Sequence, residues 1–195
     1  MNKQDVIDFF DRCAPGWDAG LIRNDAVTRE ILDNAGIGEG MSVLDVACGT
    51  GVLFPFYLRR GVASVTGVDI SGGMVRIARE KFAGESRITV LCADAETIRP
   101  DRQFDRIMVY NALPHFQDPG RLVRNLAAAL KDGGRLTIAH GESRERIDAH
   151  HRGSARHVSN GLMPIEELKA LCDPYLEVDV MISDERMVQL CGTKR

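Results

Sequence analysis

Apolar positions recur along this chain with two periods, and the change from one to the other predicts where its elements lie. Val6, Phe9, Phe10 and Cys13 fall at helical spacing over residues 2–14, an amphipathic helix that Pro15 and Gly16 terminate. A second helix is predicted over 18–35, with Gly36 and Gly38 behind it. From Ser42 onward, short β-branched runs take turns with helical ones. Strands are predicted at 42–47, 64–69, 88–93, 106–110 and 135–140, and helices at 52–60, 73–82 and 119–130. Such alternation calls for parallel strands joined by right-handed helical crossovers, with helices on both faces of one sheet.

The tail breaks this rhythm. A polar stretch at 141–161 precedes a helix beginning near Pro164, and two further strands are predicted at 176–182 and 187–193. Only residues 183–186 separate them, and so short a link permits only an antiparallel hairpin. The expected fold is α/β: a doubly wound, Rossmann-like, mostly parallel seven-stranded sheet with one antiparallel C-terminal strand.

Composition narrows the function classes. At 195 residues the chain suits one domain, and 25 Lys plus Arg against 28 Asp plus Glu leave a net charge of −3. That balance offers no broad attraction for nucleic acid or anionic lipid. The longest strictly apolar run, 126–130, falls far short of the roughly 20 residues a membrane span needs. Asp5, Asp8 and Asp11 occupy what would be the apolar part of a secretion signal, so a cytoplasmic protein is expected. The five cysteines, Cys13, Cys48, Cys92, Cys172 and Cys191, are scattered and never in a Cys-x-x-Cys pair, and most read as small core residues.

The clearest chemical signal is Val43-Leu44-Asp45-Val46-Ala47-Cys48-Gly49-Thr50-Gly51, between the first predicted strand and the helix after it. Glycines there let the backbone turn tightly and approach a ligand closely, in the crevice where open α/β sheets bind small molecules. Asp69 ends the second strand, where a carboxylate can accept hydrogen bonds from both ribose hydroxyls of a nucleoside. A dinucleotide site would place a third glycine where this chain has Phe54, and Asp45 instead stands where it could answer a positively charged amino group.

At this point the chain resembles the class I S-adenosylmethionine-dependent methyltransferases, in particular the small single-domain enzymes of the methyltransferase domain 11 type. The resemblance spans roughly Phe9 to His140. It includes Phe9-Phe10-Asp11-Arg12, Ala14-Pro15-Gly16-Trp17-Asp18, Gly67-Val68-Asp69-Ile70-Ser71, Asp94-Ala95-Glu96, Phe104-Asp105 to Asn111, and Leu130-Lys131-Asp132-Gly133-Gly134. It implies S-adenosylmethionine as cofactor, with Asp45, Ala47, Gly49 and Gly51 around its methionine part and Asp69 on its ribose. Ile70 and Met74 would pack on the adenine, Asp94 and the Ala95 backbone would read its edge, and Asn111 would lie beside the amino acid moiety and sulfonium. Asp69 and Asp94 also fit helix-cap or turn residues, and Ile70 and Met74 fit plain core. The same resemblance divides the chain into an N-terminal helical lid (1–38), a cofactor-binding core (39–140) and an acceptor-side segment with the C-terminal hairpin (141–195).

Histidine is the side chain best tuned to hold a proton near neutral pH, and here its distribution is uneven. His140, His150, His151 and His157 cluster within 140–157, and His115 follows the fourth strand, so all five map near one rim. His115, His140 and His151 are the candidate catalytic residues, with Phe10, Trp17 and His150 as candidates for binding the acceptor. If 143–151 is helical, His150 and His151 flank the face that holds Ile147, which could look into the pocket. Interleaved Arg144, Arg146, Arg152 and Arg156 would suit an acceptor carrying a carboxylate or phosphate. The same segment also reads as a solvated loop. A metal site built on His140 and the later histidines is weighed against it, but spacing alone does not make ligands converge, and no metal is expected.

The leading expectation is methyl transfer to a small organic acceptor at oxygen, nitrogen, sulfur or activated carbon, by a chain that could act as a homodimer and has no nucleic-acid or membrane partner. A non-catalytic S-adenosylmethionine-binding regulator is the first alternative. A nucleotide-cofactor oxidoreductase is disfavoured by Phe54 and by the lack of a second substrate domain.

Overall fold

Seven strands form a single sheet in the order β3-β2-β1-β4-β5-β7-β6. They are β1 (Ser42–Val46), β2 (Ser64–Asp69), β3 (Ile88–Cys92), β4 (Phe104–Tyr110), β5 (Leu130–His140), β6 (Leu176–Ser183) and β7 (Val188–Lys194). The computed structural model describes residues 1–98, 103–151 and 156–195, the side chains of residues 150 and 151 excepted. β1 to β5 pair in parallel, while β7 runs antiparallel to both β5 and β6. The one reversed strand is therefore β7, inserted between β5 and β6, as the short link between the last two strands requires. Burial explains the order. Val188 to Gly192 of β7 are all buried, which suits an inner strand, whereas β6 alternates covered and exposed residues as a sheet edge does.

Eight α-helices accompany the strands among the described residues: α1 (Lys3–Cys13), α2 (Trp17–Gly20), α3 (Asp25–Asn34), α4 (Phe54–Arg59), α5 (Gly72–Lys81), α6 (Pro119–Ala128), α7 (Arg144–His151) and α8 (Ile165–Cys172). On one face, Ile31 and Leu32 of α3, Phe54 and Tyr57 of α4 and Val75 of α5 pack on Val43, Val65 and Met108. On the other, Leu122 and Leu126 of α6 and Leu168 of α8 pack on Leu44, Val46, Val68, Ile107 and Val109. Alternate residues of the central strands thus feed both cores, the doubly wound arrangement expected from the alternation of elements.

The predicted helix over 18–35 is broken. It stops at Gly20, and Asn24 caps α3 afresh by accepting hydrogen bonds from the Ala26 and Val27 amides. Residues 21–24 become a loop. β5 begins earlier than predicted, at Leu130, because α6 ends at Ala128 and Leu130 pairs with Phe104. Among the described residues no helix is long and apolar enough to cross a membrane.

Candidate functional site

The strand order reverses at β1, with β2 on one side and β4 on the other, and a pocket opens there at the C-terminal ends of the strands. The turn after β1 forms its floor. Ala47 and Gly49 sit at φ +54° and +55°, the left-handed region that costs a residue with a Cβ about 1 to 2 kcal/mol. A side chain on Gly49 would meet only the Trp17 indole nitrogen, at 3.9 Å, so the glycine keeps the pocket wall clear. Gly51 does something else. It does not line the pocket; at φ +79°, its added Cβ would stand 2.7 Å from the Phe54 ring and 2.8 Å from Phe82. Its expected place beside the ligand is therefore corrected to a packing role beneath the turn, where Phe54 fills the room that a third glycine would leave open.

Four carboxylates, Asp45, Asp69, Asp94 and Glu96, line this pocket. Asp69, at the end of β2, accepts hydrogen bonds from the Gly49 amide at 2.8 Å and the Ser71 amide at 2.9 Å, so it fastens the glycine turn to its neighbour strand. Burial pushes its pKa up, against those amides, which favour the charged form. Asp45 is pushed up to about 8, first by burial; the Tyr57 hydroxyl opposes this and the charge of Asp69 adds to it. Asp94 lies beyond β3, accepts from the Glu96 amide and is paired with Lys3 at 2.5 Å. Ala47, Ile70, Met74, Ala95 and Asn111 line the same space. Asn111 also adopts a left-handed conformation, φ +55°, and its side-chain oxygen accepts from the Gly141 amide. Asn tolerates that region better than most residues.

Phe10 and Trp17 close the pocket from the N-terminal side, joined by His115. The Phe10 ring lies edge-on to both, with centroids 5.8 Å from Trp17 and 5.0 Å from His115. His115 Nδ1 is 2.7 Å from the Val158 carbonyl oxygen. A carbonyl can only accept, so Nδ1 carries the proton and the lone pair of the neutral ring lies on Nε2.

Two of the other histidines, His140 and His157, do not line this pocket. His140 is buried at the end of β5, in register with Val188, and does not line the pocket, because β5 carries it beyond the floor formed by β1, β2 and β4. His157 packs on Phe9, 5.8 Å between centroids. His150 and His151 close α7, but their side chains lie outside the described residues. The face of α7 that holds Ile147 is turned into the apolar core rather than into the pocket, since Ile147 packs there with the α6 and α8 residues. Arg144 pairs with Asp148 of its own helix, 3.6 Å away. Among the described residues no group of three or more His, Cys, Asp or Glu side chains converges to hold a metal ion.

Sequence reasoning missed Lys3, Leu21, Ile22, Arg23 and Tyr110, all of which line the pocket. The loop at 21–24 brings three of them. Ile22 is 92% exposed at the mouth, and the Arg23 guanidinium sits 4.7 Å from the Phe56 ring centroid. The Asn24 capping signal could have revealed this break in the helix; nothing local marks Lys3.

Comparison with known proteins places the chain among methyltransferases. The methyltransferase domain family matches residues 43–134. A ubiquinone biosynthesis O-methyltransferase from Coxiella burnetii is 32% identical over 143 residues, 70% of this chain and 61% of that protein. A malonyl-[acyl-carrier protein] O-methyltransferase from Priestia megaterium is 25% identical over 190 residues, 90% of this chain and 69% of that protein. The chain thus spans about three-fifths of the length of the first of these relatives. Among solved structures, DhpI in complex with S-adenosylhomocysteine superposes with a TM-score of 0.77 at 19% identity, covering 98% of this chain and 96% of that one, which shows the shared fold.

Proposed function

Since residues 43–134 are a methyltransferase domain of the class I S-adenosylmethionine-dependent family, we propose that this chain transfers a methyl group from S-adenosylmethionine to a small organic acceptor, at oxygen in the first instance. One observation carries the reading. Asp45, Ala47, Gly49, Asp69, Ile70, Met74, Asp94, Ala95 and Asn111, scattered between positions 45 and 111, face a single pocket that Phe10, Trp17 and His115 close. The residues fit the group: Gly49 leaves an open flank, Asp69 offers remaining lone pairs for a ribose, and Asp45 is a buried carboxyl with a cation still to meet. Bound there, S-adenosylmethionine supplies an electrophilic methyl group, which needs an aligned nucleophile and little else.

The chain's own residues supply the alignment. Phe10 and Trp17 exclude water, and His115, held in one tautomer by the Val158 carbonyl, takes the acceptor's proton at Nε2. Oxygen is favoured because both curated relatives are named as O-methyltransferases. The reading carries with it a cytoplasmic setting, and a homodimer is compatible with it.

Calorimetric titration with S-adenosylhomocysteine, followed by transfer of labelled methyl to a panel of hydroxylated small molecules, tests the proposal. His115→Ala should lower turnover by roughly 10²-fold while leaving S-adenosylhomocysteine affinity within about twofold. Binding without transfer to any acceptor would favour a regulatory protein, and absence of binding would defeat the cofactor assignment.

A further inference from the structure

The first eighteen residues touch the cofactor site through three charged side chains, each contacting a different loop. Asp18 accepts from the Thr50 hydroxyl at 2.6 Å, on the loop after β1, and pairs with Lys81 at 2.7 Å. Asp11 accepts from the Ser71 hydroxyl at 2.5 Å, on the loop after β2, and from the Gly73 amide at 2.8 Å, in the first turn of α5. Lys3 donates to Asp94 at 2.5 Å and Glu96 at 3.3 Å, on the loop after β3. Between these contacts stand Val6, Phe10 and Trp17, which form the pocket's cover. The approach is close: a Cβ on Gly73 would lie 3.1 Å from the Asp11 carboxylate and 3.2 Å from the Ala14 side chain, so the glycine lets the N-terminal segment sit down on α5.

We infer that the N-terminal segment is a clasped lid, with Lys3, Asp11 and Asp18 as positioning residues that hold one cofactor loop each and Lys3 as the clasp that sets how long the cofactor stays. This rests on the proposed cofactor site. Lys3 lines the pocket itself, and its partner is the carboxylate assigned to the adenine edge. The Asp94 oxygen that accepts from Lys3 has a second lone pair, so adenine and lid can share it. A bound adenine then orders Asp94 for Lys3, and Lys3 holds the cover shut over the adenine. Release requires Lys3 to part from both Asp94 and Glu96, whereas entry precedes closure. The clasp therefore acts on dissociation more than on association. Lys3 and Asp94 are partly exposed while Glu96 is buried, so salt should loosen the Lys3–Asp94 pair.

Stopped-flow binding of S-adenosylhomocysteine to the full chain, followed by the fluorescence of Trp17, the single tryptophan, tests this directly. In Lys3→Met, dissociation should quicken about two- to fivefold with association within about twofold, and Trp17 of the ligand-bound protein should become more accessible to acrylamide. Lys3→Arg should restore most of the slow release. A second measurement needs no variant: the dissociation rate of the unaltered protein should rise between about 0.05 and 0.5 M salt. Equal dissociation rates in Lys3→Met and the unaltered protein, or a rate indifferent to salt, would overturn the clasp while leaving the cofactor site standing. Failure of the unaltered protein to bind S-adenosylhomocysteine would instead remove the cofactor site, and the clasp with it.

Discussion

Replacing Asp69 by Ala removes two sets of hydrogen bonds that can be measured apart. Its carboxylate oxygens accept the Gly49 amide at 2.8 Å and the Ser71 amide at 2.9 Å, and the lone pairs left over are those assigned to the ribose. Loss of charge-assisted bonds to the ribose should weaken S-adenosylhomocysteine binding by about 2 to 3 kcal/mol, a rise in Kd of roughly 30- to 150-fold. The protein without ligand should suffer as well. Ser71 is buried, and its amide left without a partner costs about 1 to 3 kcal/mol, while the Gly49 amide at the pocket wall can turn to water. In a chain of this size each kcal/mol lowers Tm by roughly 2 to 4 °C, so a fall of about 2 to 12 °C is expected. Asp69→Asn retains one acceptor but turns an NH2 group toward a donor, and its Kd should lie between the other two. Titration calorimetry and scanning calorimetry on the three proteins provide both quantities. If Asp69→Ala shows the expected fall in Tm with a Kd within twofold of the unaltered protein, Asp69 is a fastener of the glycine turn and the ribose assignment is wrong.

Gly49→Val should abolish detectable S-adenosylhomocysteine binding while far-ultraviolet circular dichroism stays native, because the new side chain points into open pocket space beside Trp17; normal affinity in a folded variant would refute this. Ala47→Gly relieves a left-handed alanine but gives the unfolded chain more freedom, so the two effects nearly cancel and Tm should stay level or rise by a few degrees; a clear fall would show that the methyl group is packed rather than strained. The raised Asp45 pKa, about 8 against a usual value near 4, means that the folded protein holds a proton the unfolded chain has released over that window, so this carboxyl subtracts stability as pH rises through it. A cationic amino group placed beside Asp45 should expel the proton, making binding tighter as pH climbs toward 8. Calorimetry at pH 7 in buffers of different ionisation enthalpy should register up to one proton released, and none would speak against Asp45 as the partner of that amino group.

The sheet and the loops that line its pocket were readable because their signals are local. Strands β1 and β2 are buried almost throughout and appear as short β-branched runs, β3 at the sheet edge is legible from its β-branched Ile88, Thr89 and Val90 although mostly exposed, and Asp69 directly follows such a run. The reversal of β7 could be inferred from chain length alone, since residues 183–186 cannot make a crossover. What the sequence could not determine was which distant groups share space. His140, in a cluster that looked catalytic, is carried behind the pocket by the strand it ends, and Ile147 turns α7 toward the core because burying its side chain outweighs keeping that face to the solvent. Lys3 has no local signal, because its partners, Asp94 and Glu96, reach it only when α1 lies across the ends of the strands. Periodicity reports the face that a residue presents; contact between Lys3 and Asp94 is decided by packing and charge pairing in the folded chain, and the N-terminal wall of this pocket depends on such contacts.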